Sequence, residues 1–251
     1  MTNHSNTPNT VPNYPGMTFQ ECLHYATQEH IMLNAYKEEA AELEKNRAHT
    51  LETAQLYTKM GWCAMELWNW KEAAEHLTHA LHIYQANLQE LTGSSGNFLT
   101  PIHRDLARCY AAQITEVNLH VDLRLKTISH CKQYLLLDDL SYPAELKTDS
   151  AREERHSINI LLGKSLNALG LTQQALLAFL EISQSGLENI APQIFIEMTL
   201  GVAESDYLEG NYATALESVQ MAIKTAEVGG YTDQLARAYL LEEKITQAQN
   251  H

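Results

Sequence analysis

Apolar residues recur at three- and four-residue intervals along most of this chain, which is the period of a helix with one buried face. Phe19, Leu23, Ala26, His30 and Leu33 carry that period, and the charged stretch Lys37 to Arg47 continues it without Pro or Gly. One long helix, or two abutting ones, is predicted from Thr18 to about Arg47. Helices are then predicted over Leu51 to Leu67 and Lys71 to Leu91, flanking a turn at Trp68-Asn69-Trp70. Thr92 to Pro101, rich in Gly and Ser, reads as a linker. Ile102 to Asn118 and Val121 to Leu137 form another predicted pair. Asp138 to Ser150, with Asp138-Asp139, Pro143 and Asp149, reads as a second connector or the frayed start of a helix. Further helices run to Gly170, then over Thr172 to Ser185, Pro192 to Leu208, Tyr212 to Val228 and Thr232 to Gln247. Gly210-Asn211 and Gly229-Gly230 supply the left-handed positions that helix ends favour. Residues 1–16 hold three prolines and little to bury, so they read as a disordered tail.

Within this pattern the chain repeats itself. Tyr57-x-x-Met60-Gly61-x-x-Ala64 leads to Ala73-x-x-x-Leu77-x-x-Ala80. Asn159-x-x-Leu162-Gly163-x-x-Leu166 leads to Ala175-x-x-x-Phe179-x-x-Ile182, and Thr199-x-x-Val202-Ala203-x-x-Asp206 to Ala215-x-x-x-Val219-x-x-Ala222. In each copy a small residue precedes the second-helix Ala by twelve positions, and the turn falls seven after the small residue, at Trp68, Gly170 and Gly210. Small residues on both helices let the backbones approach while larger ones interdigitate around them. The pattern resembles the tetratricopeptide repeat, a helix–turn–helix unit of about 34 residues. The resemblance covers residues 54–87, 156–189 and 196–229, with a degenerate copy over 102–137. It departs from the family in lacking the closing prolines and in placing Asp206 where an aromatic is usual. The lone helix over 231–248 reads as a cap that solubilises the end of the array.

Composition narrows the fold class. The chain has 35 Leu and 28 Ala against six Val, so helix formers dominate and sheet formers are scarce. The expectation is an all-α protein: an α-solenoid of about four helical hairpins over residues 17–251, with an N-terminal helix and a C-terminal cap. Lys and Arg number 17 against 31 Asp and Glu, a net charge of −14. That excess repels phosphates, and no basic stripe reverses it locally, so nucleic acid is excluded as a partner. No secretory signal or membrane-length apolar run is present, which makes a cytoplasmic protein the expectation. Cys22, Cys63, Cys109 and Cys131 form no C-x-x-C pair and read as buried, inert thiols.

Catalytic motifs are missing: there is no Gly-rich phosphate loop, no H-E-x-x-H, no G-x-S-x-G and no dinucleotide fingerprint. The chain is expected not to be an enzyme and to carry no cofactor. His76, His79 and His82, with Glu72 and Glu75, have helical spacing that could hold zinc. They read instead as a solvated helix face, and no metal ligand is assigned.

What the family resemblance implies is binding. First helices of stacked repeats line a concave groove, and carried onto this chain the groove positions are Gln55, Thr58, Trp62, Met65 and Glu66. In the later copies they are Ile160, Lys164 and Asn167, then Leu200, Glu204, Tyr207 and Leu208. Of these, Thr58, Trp62, Met65, Glu66, Lys164, Asn167, Leu200, Glu204 and Tyr207 are the expected partner-contacting set. Thr58, Trp62 and Ile160 stand where the chaperone-tail-binding branch needs polar or basic groups, so that ligand is disfavoured. The expectation is an adaptor or scaffold that docks a peptide or helix of another protein, without membrane insertion. The alternative is a sensory module that closes around a small peptide or metabolite.

Overall fold

The helical period is realised along almost the whole chain. In the computed structural model, which describes residues 14–45, 50–88, 96–114, 120–141, 147–184 and 190–250, ten α-helices form and no strand does. They are α1 (Phe19–Lys45), α2 (Leu51–Glu66), α3 (Trp70–Ala86), α4 (Gly96–Ala112), α5 (Val121–Ser141), α6 (Asp149–Asn167), α7 (Thr172–Ser183), α8 (Pro192–Leu208), α9 (Tyr212–Gly229) and α10 (Thr232–Gln249). The chain divides into two units, Met1–Gln113 with α1 to α4 and Ile114–His251 with α5 to α10. Within each unit every helix packs on the next, and in the second α6 also meets α8 and α8 meets α10. These sequential hairpin contacts are consistent with a helical repeat array. The helices expected over 102–137 fall in different units.

Caps and punctuation explain the boundaries. Thr50 and Thr148 cap α2 and α6 by accepting from the amides of Thr53 and Ala151 at 3.4 and 3.2 Å. Pro192 opens α8 at the first turn, where its missing N–H costs nothing. Trp68, Gly170 and Gly210 all have positive φ, at 58°, 72° and 81°. Each turn makes the same pair of bonds: Trp68 to Met65 and Asn69 to Ala64, Gly170 to Asn167 and Leu171 to Leu166, Gly210 to Tyr207 and Asn211 to Asp206. This is the Schellman closure of a helix end, and it satisfies carbonyls the last turn leaves open. Trp68 adopts it without glycine's freedom, at a steric cost of about 1–2 kcal/mol.

The small residues do the work their spacing implies. A Cβ on Gly61 would come within 2.6 Å of Leu77 Cγ, sixteen positions on, and one on Gly163 would run into the ring of Phe179 at the same offset. Ala73, Ala175 and Ala215 are fully buried. In the first unit Ala26, Leu33 and Ala40 of α1 pack with Leu56, Met60 and Cys63 of α2, while Leu77 and Tyr84 of α3 pack with Ile102 and Leu106 of α4. In the second, Ile196 and Ala203 of α8, Val219 and Ala222 of α9, and Ala238 and Ile245 of α10 share one core. Glu243 of α10 occupies the register position of Gly163 and Ala203, and it is exposed.

Several boundaries differ from expectation. Helix α4 begins at Gly96 and carries Pro101 in its second turn, so the linker expected over Thr92–Pro101 is helical from Gly96; its residues 92–95 lie outside the described residues. Proline there forfeits one backbone bond, and burial of Ile102, Leu106 and Cys109 on one face outweighs that loss. Helix α5 continues through Asp138-Asp139, because Asp138 is buried against Lys147 and Arg155 rather than solvated in a connector. The expected tail lies outside the described residues up to residue 13. Tyr14 is docked: its hydroxyl donates to the Glu66 carbonyl, and its ring meets Tyr25 and Trp68 edge-on at 5.0 and 6.4 Å.

Candidate functional site

The residues expected to face a partner separate into two groups, one in each unit. In the first unit Thr58 is buried, with its hydroxyl donating to the Ala54 carbonyl at 2.9 Å. Met65 is half-buried against the α2–α3–α4 core. Glu66 turns to the N-terminal segment, taking the Tyr25 hydroxyl at 3.4 Å on its carboxylate. Trp62, exposed like Glu66 and at 45% the exposed apolar member of the four, donates its indole N–H to buried Asp105 of α4 at 3.0 Å. Asp105 also takes the Arg104 guanidinium at 2.7 and 3.0 Å.

In the second unit the α6–α8–α10 face is more closely built. Ile160 is buried. Asn167 of α6 is buried as a strap, donating to the Gly201 carbonyl at 2.9 Å and accepting from Ser205 at 2.8 Å. Lys164 of α6 pairs with Glu197 of α8, which also takes Arg237 of α10 on both oxygens, at 2.6 and 3.0 Å. Burial works to raise the Glu197 carboxyl, but Arg237 and Lys164 outweigh it and hold the group below the ordinary range. Beyond this triad, Leu200, Gly201 and Glu204 of α8 and Arg237, Leu240, Leu241 and Lys244 of α10 enclose an open cavity of about 360 Å³. Lys244 lies over the Tyr207 ring at 4.9 Å, and Tyr207 in turn tilts on Tyr212 at 6.0 Å. Leu240 is 67% exposed at the rim.

Leu200, Glu204 and Tyr207 are therefore brought together on one face, with Lys164 adjoining through Glu197. The four α10 residues that complete the cavity were missed. Their signal is present in the sequence, since Glu197 and Arg237 stand 40 positions apart, the spacing that separates Gly163 from Ala203. Reading α10 only as a cap concealed it.

The histidine-rich stretch is covered by α1 in part, at His76 and His79, while Glu75 and His82 are solvated as expected. His76 is mostly buried with its Nε2 3.5 Å from Glu72, which also pairs with Lys37 of α1 at 2.5 Å. His79 has its Nε2 3.5 Å from Glu44 of α1, and its ring lies 4.1 Å from that of Tyr57. Burial pushes the Tyr57 hydroxyl up to about 12, helped by its hydrogen bond to Glu44. His82 is exposed. Among the described residues no group of three or more His, Cys, Asp or Glu side chains is placed to hold a metal ion. The four cysteines are buried and unbridged, and burial pushes the Cys63, Cys109 and Cys131 thiols up to about 12, so they stay protonated.

No protein-family profile matches this chain, and no curated protein is similar to it in sequence. The class that the fold defines is an all-α chain of sequentially packed helical hairpins. No helix among the described residues is long and apolar enough to cross a membrane.

Proposed function

We propose that this protein is a tetratricopeptide-like α-solenoid that acts in the cytoplasm as an adaptor or scaffold, docking a segment of a partner protein and catalysing nothing. The cavity between α8 and α10 carries the reading. It combines apolar walls, buried Leu200 with Leu241 and the exposed rim residue Leu240, with charged groups at its margin, the make-up of an interface core and rim. The common Schellman turns and the shared close approach of Gly61 to Leu77 and Gly163 to Phe179 support the repeat assignment. An exposed leucine beside an aromatic–cation pair is surface that a partner's side chains can cover without rearranging the core. The cavity's lining supplies one fixed ion pair, Arg237 with Glu197, and aliphatic surface rather than a nucleophile beside a base. The excess of negative charge argues against nucleic acid as the partner.

Selection of peptides from a random display library on the full chain tests this. Enriched peptides should bind the wild type and lose at least about tenfold in affinity to Leu240→Asp, whose melting temperature should match the wild type. Failure to enrich any peptide, or peptides indifferent to Leu240→Asp, would refute docking at this face.

A further inference from the structure

The two helices that wall the cavity run in parallel, because each is joined to α9 by a hairpin. Glu197 meets Arg237 at one level, and two turns further along each helix stand Glu204 and Lys244. Seven residues of helix advance about 10 Å, so the cavity has two charged ends with Leu200, Leu240 and Leu241 between them. The first end is closed electrostatically, since the Glu197 carboxylate is shared by Lys164 and Arg237. The second end is not. Glu204 and Lys244 both border the cavity, yet among the described residues neither makes an ion pair, and Lys244 rests on the Tyr207 ring instead.

We infer that the segment docked here is bipolar: an apolar side chain enters between Leu200, Leu240 and Leu241, flanked by an acidic residue that reaches Lys244 and a basic residue that reaches Glu204. This rests on the docking reading above and names its ligand chemistry. A wholly acidic segment would set a carboxylate against Glu204 on a chain already carrying a net charge of −14. A wholly basic one would meet Lys244 and Arg237. Like charges brought together at a partly desolvated rim disfavour both, and this repulsion is what selects the occupant. Pairing with a carboxylate leaves the ammonium of Lys244 free to keep its contact with the Tyr207 face, so the site needs no rearrangement to accept it.

The test is fluorescence anisotropy with labelled short peptides that share a central leucine and differ in its flanks: one Glu and one Lys in either order, Glu on both sides, or Lys on both sides. Each is titrated with the full chain as wild type, Glu204→Lys, Lys244→Glu, the double reversal, Glu204→Gln and Leu240→Asp. The expected result is that one order of the mixed peptide binds at least about tenfold more tightly than the uniform ones. Each single reversal should weaken it by about tenfold, and the double reversal should transfer preference to the opposite order. Glu204→Gln, which keeps the shape and removes the charge, should lose part of that preference and guards against a reversal that simply misfolds. Uniform peptides binding as tightly as the mixed one, or reversals without effect while Leu240→Asp still abolishes binding, would overturn the bipolar ligand and leave the docking face standing. Binding by none of the peptides, or binding untouched by Leu240→Asp, would overturn both.

Discussion

Gly163 of α6 lies directly against the ring of Phe179 in α7, so closely that a Cβ at Gly163 would overlap the ring's Cζ–Cε edge. Gly201 of α8 meets the same edge, so one side chain fills the approach of two helices. Ala in a helix is favoured over Gly by about 1 kcal/mol, but overpacking a filled core costs about 1–3 kcal/mol. Because the neighbour is a fully buried ring, the steric cost wins. Gly163→Ala should therefore lower stability in urea denaturation, and Gly201→Ala should do the same. Gly61→Ala should also destabilise, since its Cβ would meet Cγ of Leu77, which is as fully buried as Phe179. Phe179→Ala should cost about 3–5 kcal/mol, and combining it with Gly163→Ala should cost less than the sum of the two.

The ion cluster around Asp138 gives a second expectation. Asp138 takes Lys147 and, at 2.8 Å, Arg155, while Arg155 also reaches Asp139 at 2.9 Å and Glu181 of α7. Lys147 and Asp138 are buried, so removing Asp138 leaves Lys147, among the described residues, only the exposed Asp139, at 3.7 Å. Asp138→Ala should destabilise by about 3–5 kcal/mol, measured by chemical denaturation. Replacing Asp138 by Leu together with Lys147 by Met should recover much of that loss. A surface pair such as Arg152–Asp149 should give less than about 1 kcal/mol when broken.

The same cluster shows what sequence reading reaches and where it stops. Helices α8, α9 and α10 follow the predicted limits closely, because Pro192, Gly210 and Gly230 mark their ends locally. Asp138-Asp139 looks like a connector because its neutralising partners, Lys147 and Arg155, lie nine and seventeen residues onward. Pro101 looks like a stop because the burial that overrides it involves α3, outside its own helix. Among the residues expected to line a groove, Leu200 and Glu204 border the cavity, Leu200 from within the core. Thr58 lies on the face opposite Leu56 and Met60 of a helix covered on two sides, by α1 and α3, and so became core. Arg237 and Lys244 required knowing that α10 walls a cavity besides ending the array.

Trp62 combines surface and anchor, which predicts a split response. Its ring is nearly half exposed, yet its N–H is bonded to a carboxylate buried to 2%. Trp62→Phe keeps the ring and deletes the donor. With Arg104 still holding Asp105, the loss should be about 1–2 kcal/mol, near the lower limit for a bond to a charged group. Trp62→Ala should cost more through lost packing. Thermal melts of both variants, beside Asp105→Asn, separate the hydrogen bond from the ring.

Acid should destabilise the protein well above the range in which carboxylates titrate. Burial lowers His76, His103 and His156 from the ordinary value of 6.5. For His76 the attraction of Glu72 opposes this, and for His156 the neighbouring Arg155 adds to it. The unfolded chain then binds more protons than the folded one below about pH 7, so the stability these groups contribute is present above 6.5 and lost as pH falls towards their folded values. Glu72 and Glu197, both held below 4.5 by their cationic partners despite burial, extend the loss at lower pH. Asp206, raised by burial and by Glu209, acts in the opposite sense over the acid range. The expected measurement is a melting temperature that declines from pH 7.5 to 5.5. His103→Leu should flatten that decline, by up to one proton or about 1.4 kcal/mol per pH unit, because burial lowers this histidine and leucine does not titrate. A pH profile left unchanged by His103→Leu would place the acid sensitivity elsewhere, first at His156, whose Nδ1 is buried without a hydrogen-bond partner among the described residues.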